Sequence, residues 1–109
     1  MPMPNSHLHV LLVLAGGDAH GYAIMQATEE LTEGAVRLRP GVLYAAIGKL
    51  VDDALVEETD ERPAAELDDA RRRYYRITDE GRRALGGEIA RLERLVLQAQ
   101  ARAVEPGLA

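Results

Sequence analysis

The sequence predicts a mainly α fold with a small β-wing: a winged helix-turn-helix followed by a long C-terminal helix. Three observations predict it. Two helical stretches, 19–33 and 40–53, are joined by a short connection, as in a helix-turn-helix pair. Two strand-like runs, 55–59 and 72–77, flank a polar segment that holds Pro63, the pattern of strand, loop and return strand. Beyond them Leu85, Ile89, Leu92, Val96, Ala99 and Ala103 alternate spacings of four and three, a heptad-like seam along one helix.

In chain order, Ser6 is a candidate N-cap for a first helix over 7–15. Leu8, Leu11, Leu12 and Ala15 share one face of it, but Val10, Val13 and Leu14 cover the rest. A helix apolar nearly all round is buried on both sides, and in so small a domain the expected second cover is a partner subunit. Gly16-Gly17 ends it. Asp18 is the candidate cap of the second helix, whose inner face is Ile24, Ala27 and Leu31, and Gly34 its candidate C-cap. Gly21 removes a side chain where another helix can come close.

Pro40 suits the first turn of the third helix, because its missing N–H has no partner there in any case. Leu43, Ile47, Leu50 and Val51 recur at core-facing spacing, leaving Val42, Ala45, Ala46 and Lys49 as a slim-sided outer stripe. On the return strand, Tyr75 and Ile77 should face one way and Tyr74 and Arg76 the other. Tyr22 is expected between the first two helices. Thr78 caps the last helix, with Asp79 and Glu80 favourably placed in its first turn.

Composition narrows the function. At 109 residues and 47% hydrophobic, the chain is one globular domain with an aliphatic core, since it has no Trp or Phe and only four Tyr. Absence of Cys excludes disulfides and thiolate metal sites and fits a reducing cytoplasm. Residues 1–9 lack the basic start of a secretory signal, and the longest apolar run, 10–15, is too short to span a bilayer. No phosphate-binding loop, dinucleotide fingerprint, metalloprotease helix or nucleophile elbow is present, and the acidic pairs lie in polar runs. An enzyme is not expected, nor a cofactor. His7, His9 and His20 have no carboxylate or thiol cluster around them in sequence, so no metal ligand is assigned, although a metal-sensing winged helix stays as an alternative.

Charge is the most informative property. The net charge is -5, yet every Lys and Arg lies at position 37 or later. Residues 37–49 hold Arg37, Arg39 and Lys49 without an acid, and residues 70–78 hold Arg71, Arg72, Arg73 and Arg76 without one. Residues 52–69 between them hold nine acids and one Arg. A fold that joins the two basic islands makes a cationic face on an acidic body, the footprint of nucleic-acid binding. The candidate DNA contacts are therefore these seven cations together with Val42 and Ala45 on the outer stripe of the third helix. A protein-interaction module meeting an acidic partner is the alternative reading of the same face. Dimerisation is assigned to Leu8, Leu11 and Leu12 of the first helix and Leu85, Ile89, Leu92 and Val96 of the last. This divides the chain into a winged-helix DNA-binding domain, 6–78, and a dimerisation helix, 79–104.

Four local motifs in this order resemble the PadR family of bacterial transcriptional regulators: His20-Gly21-Tyr22-Ala23-Ile24, Pro40-Gly41-Val42-Leu43-Tyr44, Leu55-Val56, and residues 73–82, RYYRITDEGR. They cover roughly residues 8–96, and the short C-terminal part looks like the compact branch of the family. The resemblance implies a homodimeric repressor on a pseudo-palindromic operator, with the third helix in the major groove and the wing on adjacent backbone or minor groove; it further implies Tyr44, at the place of a recognition-helix tyrosine, as a DNA contact through its hydroxyl. It also leaves room for release by a small-molecule effector. Pro40 and Val42 stand where the family often has hydroxyl residues. Ala54 stands where it usually has a helix-ending Gly, so a positive φ there would strain the backbone.

Overall fold

The computed structural model describes residues 2–60 and 73–107. Four helices and three short strands follow one another: α1 (Asn5–Ala15), β1 (Ala19–His20), α2 (Gly21–Leu31), α3 (Pro40–Asp52), β2 (Val56–Thr59), β3 (Tyr74–Ile77) and α4 (Asp79–Ala101). The fold class read from the sequence is the one observed, with one addition. The sheet has three strands in the order β1-β3-β2, all antiparallel, because Ala19 and His20 pair with Tyr75 and Tyr74. The wing is the β2–β3 pair, in register from Val56 opposite Ile77 to Thr59 opposite Tyr74.

The core forms where α1 crosses the other elements. Val10, Leu11 and Leu14 are fully buried and meet Ile24 of α2, Leu43, Ala46, Ile47 and Leu50 of α3, Val56, Tyr75 and Ile77 of the wing, and Leu85 of α4. The expected cover by a partner subunit is not needed for Val10, Leu11 and Leu14, while Leu8 and Leu12 stay half-buried. The helix is apolar all round because α2, α3, β3 and α4 of its own chain surround it. Leu11 and Leu85, expected in the dimer seam, are likewise spent on this core, at 0% and 6% exposure. On α3 the inner face takes Ala46 rather than Val51, and on α2 it takes Thr28 rather than Leu31, which is exposed. The Thr28 hydroxyl is tolerated there because it donates to the Ile24 carbonyl at 2.8 Å.

The caps differ from expectation in an instructive way. Pro4, not Ser6, precedes α1, and it offers no side-chain bond. His20, not Asp18, caps α2, its Nδ1 accepting from the Ala23 N–H at 3.1 Å. Thr78 caps α4 as expected, accepting from Gly81 N–H at 3.0 Å. Helices α2, α3 and α4 each end in the paired backbone bonds of a Schellman turn, with the left-handed position held by Glu33 (φ 52°), Ala54 (φ 61°) and Ala103 (φ 61°). Gly34, the expected C-cap, follows Glu33 and is itself left-handed at φ 81°, its N–H closing the turn on the Glu29 carbonyl at 2.8 Å.

One corner fastens the end of α3 to the start of α4. The Leu55 N–H returns to the Leu50 carbonyl at 2.9 Å, and the Leu55 carbonyl accepts the Thr78 N–H at 3.1 Å. The Thr78 hydroxyl donates to the Ala54 carbonyl at 2.7 Å. Gly81 lies so close that a side-chain carbon there would overlap the Leu55 carbonyl oxygen. After Glu88, α4 has no further buried residue and runs on past the body, which accounts for an overall length of 52 Å against 29 and 23 Å across.

Candidate nucleic-acid interface

The turn that presents α3 is built by Thr32. Its hydroxyl donates to the Thr28 carbonyl at 2.8 Å and accepts the Val36 N–H at 3.0 Å, which fixes the chain leaving α2. Half-buried Leu38 then packs on the core and leaves Arg37 and Arg39 on either side of it exposed. Arg39 is the N-cap residue of α3, and Pro40 follows at its first helical position. Because Leu43, Ala46, Ile47 and Leu50 are buried, the outer face of α3 consists of Val42 (49% exposed), Ala45 and Lys49, at spacings of three and four. Ala46, expected on that stripe, is in the core.

Tyr44 is half exposed, but its ring does not point straight out. It lies across the first turn of α2 over Gly21, whose absent Cβ would sit 2.7 Å from the Tyr44 Cζ. Gly21 is therefore the seat of the Tyr44 ring, the close helix approach its position suggested. Tyr22 is a correction: it is 55% exposed instead of packed between α1 and α2. Its hydroxyl accepts from Gln26 Nε2 at 3.3 Å, on the same first turn of α2. Sequence reasoning missed this exposed polar tip, since an aromatic in a small domain is ordinarily read as core.

The cations divide by their partners. Arg37 Nε is 3.2 Å from Glu29, Lys49 Nζ 3.1 Å from Asp53, and Arg73 Nε 3.8 Å from Glu58, all exposed. Arg76 is different. It is half-buried, and its Nη2 and Nε donate to Asp18 Oδ2 at 2.8 and 3.1 Å. That pair ties the turn before β1 to the central strand. Arg71 and Arg72 lie outside the described residues. Tyr74 and Tyr75 point to opposite faces, Tyr75 into the core and Tyr74 edge-on to His20 with ring centres 5.3 Å apart. Burial, helped by Glu58, holds the Tyr75 phenol above its usual pKa.

The histidines are built into the fold. His9 is buried, with its Nδ1 2.7 Å from the Asn5 carbonyl, and His20 caps α2. Burial lowers the His7 pKa, with Lys49 adding to that effect and Asp53 opposing it. Among the described residues, no three His, Asp or Glu side chains come together as a metal site would require. No helix among them is long and apolar enough to cross a membrane.

On α4, Ile89 (37%) and Val96 (50%) are exposed as a dimer seam requires, whereas Leu92, Leu8 and Leu12 are half-buried. Leu95, Leu97 and Val104 are also exposed, and the sequence seam did not include them.

Residues 10–87 match the transcriptional regulator PadR-like family. The chain belongs to the PadR-like family. It is therefore placed among transcriptional regulators rather than enzymes. The transcriptional regulator Rv3488 of Mycobacterium tuberculosis is 35% identical over 88 residues, covering 81% of this chain and 76% of that protein. An uncharacterized 37.1 kDa protein of transposon TN4556 from Streptomyces fradiae is 35% identical over 91 residues, 84% of this chain, which spans 24% of that longer protein. The fold matches a transcriptional regulator from Clostridium thermocellum with a TM-score of 0.74 at 24% identity, over 92% of this chain and 90% of that one. It also matches PadR of Bacillus subtilis, solved in complex with operator DNA, with a TM-score of 0.65 at 22% identity over 81% of this chain and 48% of the other.

Proposed function

We propose that this PadR-like chain is a sequence-specific DNA-binding regulator, a cytoplasmic homodimeric repressor acting on a pseudo-palindromic operator. The observation that carries the reading is the division of α3. Four of its residues are buried in the core, while Val42, Ala45 and Lys49 form a slim, exposed ridge between Arg39 and the wing. A ridge of small side chains can sink into a major groove, where Arg39 and Lys49 can reach guanine edges and Val42 a thymine methyl. Tyr44 offers its hydroxyl, and Arg37 and Arg73 their charge, to phosphates; Arg71 and Arg72 of the same sequence island are assigned to the backbone with them. The Bacillus subtilis neighbour solved on operator DNA supports the same use of the fold.

Dimerisation rests on the overhang of α4. Ile89, Leu95, Val96 and Leu97 line a helix that leaves its own body, and a second copy is the natural cover for them. In a two-fold dimer the two α3 helices would meet successive major grooves about 34 Å apart. Release, by an effector or otherwise, would follow from a change in the tilt of the paired α4 helices, because separation of the readers sets affinity.

A mobility-shift titration on the promoter upstream of the chain's own operon tests the proposal. Binding should weaken roughly ten- to a hundredfold in Arg39→Ala and Lys49→Ala, the scale of one lost base contact. Failure to shift that promoter or any genomic fragment at low salt would refute DNA binding. A monomer at micromolar concentration in sedimentation equilibrium would refute the dimer.

A further inference from the structure

Every described cation of the proposed DNA face other than Arg39 already has a carboxylate beside it. Glu29 on α2 faces Arg37 of the following turn, Asp53 at the end of α3 faces Lys49, and Glu58 on β2 faces Arg73 across the wing. The acids come from three separate elements, and all six side chains are between 45% and 75% exposed. Ion pairs this exposed contribute little to stability, because water screens them and ordering long side chains offsets the attraction. Their effect falls instead on an approaching polyanion. Each carboxylate repels the phosphate that its neighbouring cation would attract.

We infer that Glu29, Asp53 and Glu58 are specificity-determining residues, which hold down affinity for DNA of arbitrary sequence; this rests on the DNA-binding reading above. Sequence-independent affinity comes almost wholly from neutralised phosphates. Arg39 and Val42 read bases with none of these acids beside them, and Lys49, paired with Asp53, meets a guanine edge on the operator but only a phosphate on arbitrary sequence, where the Asp53 repulsion acts. A carboxylate beside each phosphate-binding cation therefore penalises the non-specific complex, where phosphate contacts are all there is. The specific complex keeps its base contacts from Arg39 and the ridge. Discrimination is a difference between two affinities, and it grows when the unwanted complex is made worse. The acidic body, at net charge -5, adds to the same bias at longer range.

The test compares the parent chain, the triple variant Glu29→Gln/Asp53→Asn/Glu58→Gln, the single variant Glu58→Gln, and a control, Glu93→Gln/Glu105→Gln. The control lowers negative charge on α4 and beyond it, away from α3 and the wing. Fluorescence anisotropy measures binding to a 30-bp duplex of random sequence and to the tightest duplex selected from a randomised pool, over a range of salt. Circular dichroism and a thermal melt check that each variant is folded. Each carboxylate should account for about two- to threefold in random-sequence affinity, the repulsion of unit charges across ~7 Å of water. The triple variant should therefore bind random DNA about tenfold more tightly, with a steeper dependence on salt. Its preference for the selected duplex should fall at least threefold, and the control should change either affinity less than twofold. Unchanged random-sequence affinity in the triple and single variants would overturn the inference while leaving DNA binding intact. An equal gain on both duplexes, or the same gain in the control, would overturn it as well. A parent chain that binds neither duplex would remove the DNA-binding reading and this inference together.

Discussion

Replacing Ala54 by glycine should make this protein more stable. Ala54 closes the Schellman turn of α3 with φ 61°, so its Cβ is held in the left-handed region. That conformation costs a residue with a Cβ roughly 1–2 kcal/mol, from the clash with the following carbonyl. Glycine removes the clash but gives the unfolded chain more freedom, which costs roughly 0.4–1 kcal/mol. The balance is a gain of about 0.5–1 kcal/mol. The gain should be realised in full because the turn is over-determined. Leu55 N–H bonds back to Leu50, and the Ala54 carbonyl accepts the Thr78 hydroxyl at 2.7 Å, so glycine inherits a geometry that its neighbours hold. The Ala54 side chain is exposed, and no packing is lost with it. At roughly 4–8 °C per kcal/mol for a domain near this size, the midpoint should rise by about 3–6 °C. The assay is a thermal melt together with urea unfolding, both followed by far-UV circular dichroism at fixed protein concentration, since self-association would make either midpoint concentration-dependent. An unchanged slope with a higher midpoint is the expected result. A lower midpoint, or none of the shift, would show that the left-handed position is not strained as argued.

Further outcomes follow from the same geometry. Gly81→Ala should destabilise by roughly 1–3 kcal/mol, the usual cost of overpacking, because the new carbon meets the Leu55 carbonyl and sits 2.7 Å from Ile77 Cγ1; a melt within 1 °C of the parent would contradict it. Asp18→Asn should cost about 1–2 kcal/mol in urea unfolding by removing the carboxylate that accepts two hydrogen bonds from half-buried Arg76, and loss of an exposed pair such as Lys49–Asp53 should cost less than half as much. Glu88 is buried, hydrogen-bonded to Arg91 at 2.6 Å and to the Met3 N–H at 3.2 Å, and the Arg91 bonds hold its carboxyl below the usual range. Because its folded pKa is depressed, the stability it contributes is present above the ordinary glutamate range and is lost as pH falls through the lower folded value. Glu88→Gln should therefore flatten the acid limb of a pH–stability curve, and an unaltered limb would refute the role. His7 acts in the same direction nearer neutrality. Burial lowers its pKa, so the unfolded chain takes up the proton first and stability declines as pH falls below about 6.5; His7→Gln should remove that decline.

The parts of this molecule legible in the sequence are those whose signal is local. Pro40 and the spacing of Leu43, Ile47 and Leu50 placed α3 to within a residue, and Thr78 with its acidic first turn placed the start of α4. The alternation of Tyr74, Tyr75, Arg76 and Ile77 gave the return strand its faces. Strand β1 was not legible, because two residues carry no periodicity and exist as a strand only by pairing with β3. Likewise, Asp18 is a plausible cap by its position in sequence, and only a partner 58 residues away reveals its use. The apolar girth of α1 was legible, but not that its own chain covers Val10, Leu11 and Leu14, since a sequence shows that a surface must be covered and not by what. The cationic islands were legible as charge. The acids paired with them were not, because Glu29 and Glu58 reach their partners only through the turn after α2 and across the wing.

The corner where Thr78 grips Ala54 and Leu55 gives the molecule a mechanical property. With Gly81 pressed against the Leu55 carbonyl, the root of α4 and the end of α3 have no slack between them, so they pivot as one welded joint. From that joint to Ala101 the helix is a boom of about 30 Å. A pivot of ten degrees swings its tip by about 5 Å, and α3 turns through the same angle at the other side of the weld. Whatever grasps the tip of α4 thereby steers α3 with a long lever and little force.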